Sequence, residues 1–340
     1  MNTNYKFSFF ILTLVLIVCF LVNISLGSVS IPIKEVFRSF TGHADNSSWE
    51  YIIHYYRLPK AITAILVGSG LGISGLLMQT LFRNPLAGPF VLGISSGASL
   101  GVALVILGSG MFGGLFTALL LSQWSLVIAA SLGSFLVLLA VLVVSSRVRD
   151  TMAILIIGLM FGSITTAVVS VLAYFSSAEQ LQQYIFWGFG SLGNLSWKEL
   201  AILFFIYLIG LLMVVISIKN LNTLLLGENY AKSLGVNLKQ SRLAIIIATS
   251  LLAGTITAFA GPIAFIGLAI PHMTRQIFHT SNHKILLPAV LLFGAIVMLI
   301  CDSIAQLPTS DYTLPINAIT SLVGAPVVIW LLVRKRKMLF

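Results

Sequence analysis

Charge is scarce in this 340-residue chain: Asp, Glu, Lys and Arg together make up 8% of it, where a soluble domain carries about a quarter. The nine acidic residues are scattered from Glu35 to Asp311. No D-x-x-x-D pair, H-E-x-x-H or G-x-x-x-x-G-K-[ST] occurs. The chain therefore lacks paired carboxylates for acid–base work, a zinc-protease helix and a phosphate-cradling loop of its own. Any ATP-driven step would have to be carried out by another subunit. Cysteine is nearly absent as well. Cys19 and Cys301 both sit inside apolar runs, with no C-x-x-C or Cys/His spacing, which speaks against a disulfide framework or a thiolate metal centre. His272 stands alone in an apolar run, as a packed, hydrogen-bonded histidine does more often than a ligand. An enzyme is disfavoured, and neither a metal nor a cofactor is expected.

What is abundant is apolar sequence: 58% of the residues are hydrophobic, in continuous rather than alternating runs. A bilayer core admits only backbones whose hydrogen bonds close internally, and unbroken runs of about 20 residues select helices over a barrel. In the first half the runs fall at residues 7–27, 61–81, 90–111, 126–144 and 151–174. In the second half they fall at 200–218, 243–259, 263–278, 285–304 and 316–333. The predicted fold class is all-α: a polytopic membrane bundle of about ten transmembrane helices, forming a single domain over 1–340. The first run follows Lys6 and lacks a small-x-small cleavage pattern, so it reads as a retained span.

The formal charge of +10 would suit nucleic acid, but the basic residues cluster in short segments between apolar runs, as an orientation signal does. An even number of spans puts both termini on one side, and Arg334, Lys335, Arg336 and Lys337 mark that side as cytoplasmic. Only Lys34, Arg38, Arg57, Lys60 and Lys198 of the 19 basic residues then fall outside. Two inter-run stretches are long, 175–197 outside and 219–242 inside. The second is polar and basic. A short helix from Glu228 to Leu234, stopped by Gly235 in the left-handed conformation, would make it a structured docking loop. A weak echo links Ala87-Gly88-Pro89-Phe90-Val91-Leu92-Gly93 with Ala260-Gly261-Pro262-Ile263-Ala264-Phe265-Ile266-Gly267, and the two copies run in opposite senses across the membrane, as inverted repeats do.

The chain resembles one permease family. Arg57-Leu58-Pro59-Lys60 is followed by Ser74-Gly75, Gln79, Arg83-Asn84-Pro85-Leu86-Ala87 and Leu92-Gly93-Ile94-Ser95-Ser96-Gly97-Ala98. Later come Gly227-Glu228, Ala231, Leu234-Gly235-Val236, Pro271-His272, Arg275, Leu287-Pro288, Asp302 and Gly324-Ala325-Pro326. In this order they are similar to the permeases of ABC importers for iron-siderophores, haem and vitamin B12. The resemblance implies a type II importer in the inner membrane: two permease subunits, identical or paralogous, with two cytoplasmic ABC ATPases and a periplasmic or lipid-anchored solute-binding protein. The cargo would be a metal chelate. An ion-coupled secondary transporter is the alternative, for which Asp302 is the main intramembrane candidate, set against a structural anchoring role.

The resemblance also assigns roles by position. Gly227, Glu228, Ala231, Leu234 and Gly235 match the family's E-x-x-A-x-x-x-G coupling element, which seats a short helix on the ATPase. The bland alternative is a capped, solvated loop. Arg57 and Lys60 match two basic residues that dock the binding protein, against simple snorkelling at the interface. A third docking position carries Gln306 in place of a base. Thr151 and Met152 align with the cytoplasmic constriction and are gate candidates. Gly93, Gly97 and Gly101 suit close helix packing.

Overall fold

In the computed structural model the described residues are 3–41, 46–111, 122–145, 151–308, 310 and 312–333, and all regular structure among them is helical. The first elements are α1 (Thr3–Ser25), α2 (Ile33–Phe40), α3 (Ser47–Ile52), α4 (Leu58–Phe82) and α5 (Ile94–Ile106). The middle of the chain forms α6 (Gln123–Ser145), α7 (Thr151–Tyr174), α8 (Ala178–Gly188) and α9 (Trp197–Leu224). Then come α10 (Glu228–Ser233), α11 (Leu238–Ala260), α12 (Ile266–Phe278), α13 (His283–Ala305) and α14 (Ile316–Val333). A π-helical turn, Ile53–Arg57, joins α3 to α4.

Seven of the described helices are long and apolar enough to cross a bilayer: α1, α4 with its α3 extension, α6, α7, α9, α11 and α13. Helices α5 and α14 are apolar but shorter. The runs at 90–111 and 263–278, expected as continuous spans, are instead broken at their starts. After Gly88 the chain makes a single 3-10 turn, Pro89–Leu92, and passes through left-handed Gly93 (φ 75°) into α5. After Gly261 and Pro262 it stays irregular until left-handed Phe265 (φ 65°) opens α12. Proline explains both breaks, since it lacks an N–H and holds the residue before it out of the α region. Each following helix has 13 residues, about 20 Å of rise against about 30 Å of hydrocarbon. The echo in the sequence is thus an echo in backbone build. The irregular stretch before α12 is not left unsatisfied: Ala264 N donates to Asn317 Oδ1 at 3.0 Å.

The chain forms two compact units. The first comprises Met1–Leu76, Ser191–Phe205 and Ile263–Phe340, the second Leu77–Gly190 and Ile206–Pro262. In the first unit, α4 meets α12 and α13 backbone to backbone. A Cβ on Gly75 would collide with the Gly267 carbonyl, and one on Gly68 with that of Gly294. In the second unit, Gly97 lies against Gly133 and Gly101 against Ala129, so α5 and α6 approach through small residues, the packing that replaces the hydrophobic effect inside a membrane. Ser134 Oγ locks this pair by donating to the Ile94 carbonyl at 2.9 Å.

Candidate coupling surface and buried polar cluster

The loop between α9 and α11 belongs to the second unit and is built as a rigid element. Gly227 (φ 103°) turns the chain into α10. Glu228 stands in its first turn and Lys232 in its last, the charge order that the helix dipole favours. The helix ends in a Schellman motif: Val236 N donates to Ala231 O at 3.1 Å and Gly235 N to Lys232 O at 3.0 Å. Gly235 takes the left-handed position at φ 82°, where a side chain is costly. Asn237 starts α11 immediately, its Oδ1 accepting from Gln240 N at 3.2 Å. Neighbouring α4 stops in the same way, with Arg83 (φ 46°) in the left-handed position and Asn84 N donating to Gln79 O. The Asn84 side chain then accepts from Leu86 N at 2.9 Å, and the Arg83 guanidinium lies against Gly227.

The five residues that the sequence singled out here take three different positions. Gly227 and Gly235 shape the turns. Ala231 is fully buried, facing the protein, and Glu228 Oε1 is tied to Arg242 Nη2 of α11 at 2.5 Å. Only Leu234 points outward, 58% exposed, and Tyr230 (59%) and Leu226 (61%) of the same loop are exposed as well. So are Lys232 and Lys239. Leu226, Tyr230 and Arg242 were not singled out from the sequence; the four-residue apolar spacing across Gly227 was the available signal.

In the first unit, the end of α1, the start of α4, the start of α9 and the end of α13 meet. Arg57 Nη1 donates to the carbonyls of Ile24 (2.7 Å) and Ser25 (2.8 Å), and Nη2 to that of Val29. Its guanidinium therefore caps the last turn of α1, where carbonyls lack intrahelical partners and the dipole is negative. Lys60 Nζ pairs with Asp302 Oδ1 at 3.1 Å. Asp302, 2% exposed, also accepts from Asn23 Nδ2 at 2.9 Å and Gln306 Nε2 at 2.7 Å. Trp197 Nε1 donates to the His54 carbonyl at 3.0 Å. Arg57, Lys60 and Gln306 are brought together, and all three make contacts within the chain. Asn23 was missed because a single Asn in an apolar helix carries no spacing signal.

Thr151 and Met152 are the first two residues of α7. Their side chains, and Arg149 and Asp150 before them, lie outside the described residues. Further along α7, a groove of about 520 Å³ is lined by Ser96, Ser163, Thr166 and Ser170 beside Gly158 and Gly162, without a charged group. The three α7 hydroxyls donate to the carbonyls one turn back, which leaves their oxygen lone pairs turned to the groove. Among the described residues no group of three His, Cys, Asp or Glu side chains could hold a metal.

Apolar spans, short helices entered through Gly-Pro breaks and an uncharged hydroxyl-lined groove define a polytopic membrane transport protein. Comparison with known proteins gives the same class. The chain belongs to the FecCD transport family, whose profile matches residues 15–334. It is 37% identical over 326 residues to the vitamin B12 import system permease protein BtuC of Klebsiella pneumoniae, covering 96% of this chain and 93% of that one. It is 34% identical over 327 residues to the hemin transport system permease protein HmuU of Yersinia pestis, covering 96% and 95%. A solved metal-chelate type ABC transporter in an inward-facing conformation superposes with a TM-score of 0.83 at 31% identity, over 97% of this chain and 100% of that one.

Proposed function

We propose that this chain is the membrane-spanning permease subunit of an ATP-binding-cassette importer that carries a metal chelate, such as a siderophore-iron complex, haem or a corrinoid, into the cell. The observation that carries the reading is the exposure of Leu226, Tyr230 and Leu234: three large apolar side chains on one short loop closed by a Schellman motif, in a chain that has no phosphate-binding loop. Exposed apolar side chains on so short a helical loop suit insertion of α10 into a groove on a separate ATPase. Glu228 and Ala231 support it from behind.

In this reading the spans are α1, α4, α5, α6, α7, α9, α11, α12, α13 and α14, with both termini cytoplasmic in the inner membrane. The assembly pairs two permeases with two ATPases and an external binding protein. Of the three docking candidates, Lys60 is half-buried, while Arg57 and Gln306 are buried. Lys60 meets an acidic residue of the binding protein by exchanging Asp302 for it, and Arg57 and Gln306 hold the rim in shape. The α7 groove lines the cargo path, its hydroxyls offering neutral acceptors that slide past a bulky chelate without trapping it. Thr151 and Met152 stand at the cytoplasmic constriction. Asp302, with three donors around its carboxylate, serves as a fixed anion better than as a proton carrier.

The test is ATP-dependent uptake in proteoliposomes that hold the chain, its co-purified ATPase and a ligand-loaded binding protein. Uptake should stop when the ATPase is omitted. Full transport by the chain alone under a proton or sodium gradient would overturn the proposal in favour of a secondary transporter.

A further inference from the structure

At the end of the first unit where α3 and α9 begin, six residues form an open cup of about 490 Å³: Ser47, Glu50, Tyr51, His54, Tyr55 and Trp197. Glu50 and His54 stand one turn apart, as do Tyr51 and Tyr55, and the π turn that follows α3 presents both pairs to the cup. The Tyr51 and Tyr55 rings lie 4.7 Å apart, tilted by 32°. The Trp197 indole is fixed by its bond to the His54 carbonyl. Glu50 is half-buried and makes no ion pair among the described residues. Aromatic faces around a carboxylate make a site for a cation, and an ammonium group fits best because its polarised N–H or methyl hydrogens meet the ring faces while its charge meets the carboxylate.

The surroundings identify where that cation comes from. Trp197, Ala201 and Phe205 are exposed at four-residue spacing down α9, so the cup opens onto an apolar helix face of the kind that faces acyl chains. Beside it, α2 exposes Ile33, Phe37 and Phe40 while burying Val36 and Ser39, the pattern of a helix lying in the membrane interface. Phe40 packs edge-on against His54 at 5.7 Å and ties that helix to the cup. Tyr and Trp concentrated at this level are an interfacial belt.

We infer that this cup binds the ammonium headgroup of a zwitterionic phospholipid, ethanolamine or choline, whose acyl chains run down the Trp197–Phe205 face of α9. The cation lies in the open cup against the paired Tyr51–Tyr55 rings and Trp197, and Glu50 supplies the counter-charge. The site is independent of the transport reading, and it fixes the depth at which α4 and α9 enter the membrane.

The test uses the full-length chain in nanodiscs of equal phosphatidylethanolamine and phosphatidylglycerol, and in a second set of equal phosphatidylcholine and phosphatidylglycerol. Lipids retained on the protein are counted by native mass spectrometry. Wild type should retain a zwitterionic lipid over phosphatidylglycerol by about fivefold. Glu50→Gln, and separately Tyr51→Ala with Tyr55→Ala, should bring retention to parity, while Tyr174→Ala, an exposed aromatic elsewhere, should change nothing. Thermal unfolding of each variant and partial rescue by Glu50→Asp separate loss of the site from loss of the fold. Equal retention by wild type, or selectivity that survives Glu50→Gln, overturns the assignment. Soluble ethanolamine that competes as well as the lipid assigns the cup to a free amine and overturns the lipid source. Absent selectivity, together with weaker capture of a binding protein by Glu50→Gln, gives the cup to a protein partner and overturns the proposal too.

Discussion

Placing a large ring at Ala231 separates two accounts of the loop between α9 and α11. A small residue in a docking helix is needed either because it faces the partner or because it faces the helix's own support. Ala231 is fully buried with no partner present, so the second account holds and Trp has to force α10 off the body of the protein. Overpacking of this kind costs about 1–3 kcal/mol. A helix of six residues has no reserve against it, since isolated helices below about 12 residues are marginal. The strain should therefore open α10 locally and leave the bundle intact, raising the open population about 5- to 150-fold. Lys232 sits within the helix and gives trypsin a site there. Limited proteolysis of Ala231→Trp, without any ATPase, should cut at Lys232 much faster than in wild type, with membrane insertion unchanged and coupled transport lost. Tyr230→Ala should behave in the opposite way: wild-type resistance to trypsin, but about tenfold weaker ATPase capture, from the roughly 1–2 kcal/mol of an exposed aromatic anchor. If Ala231→Trp is as resistant as wild type and still captures the ATPase, the inward packing of α10 is refuted.

Gly75→Ala should lower the unfolding temperature in detergent sharply, because its Cβ collides with the Gly267 carbonyl and backbone cannot rotate away, at a cost of about 1–3 kcal/mol or more. Gly88→Ala, where a Cβ meets nothing within 4 Å, is the control and should leave it unchanged. Replacing Asp302 with Asn should destabilise by about 1–3 kcal/mol, since half-buried Lys60 loses its counter-ion. Lys60→Met combined with Asp302→Leu should recover part of the loss, and a double variant no better than the single one would deny that the pair is the cause. For orientation, Asn46→Cys should react with an impermeant thiol reagent on intact cells and Lys239→Cys only after the membrane is opened. The reverse pattern would invert the proposed topology.

Much of this protein could be read from composition and run length, because a bilayer imposes one rule on every residue it contains. The run at 151–174 coincides with α7 and that at 316–333 with α14, and most other helices extend only a few residues beyond their runs. The stop of α10 at Gly235 was likewise legible, since a left-handed residue after a short helix is a local demand on one position. Gly97 and Gly101 were legible as packing surface for the same reason, though not which helix they meet.

Side-chain direction was not legible where partners lie far apart in sequence. Arg57, Lys60 and Gln306 share a sequence pattern with docking residues, yet Arg57 caps α1 and both others meet Asp302, contacts that reach across more than 200 positions in one case. The Gly-Pro breaks were visible as residues, but whether the chain resumes as helix depends on partners such as Asn317, which satisfies the Ala264 N–H. Sequence by itself determined that the chain spans a membrane as helices and where most of them start and stop, because hydrocarbon thickness and backbone hydrogen bonding act locally. Only the tertiary structure decided which polar groups face one another and which face outward, because a charge or amide in a membrane protein is placed by the nearest group able to satisfy it, and folding alone brings that group near.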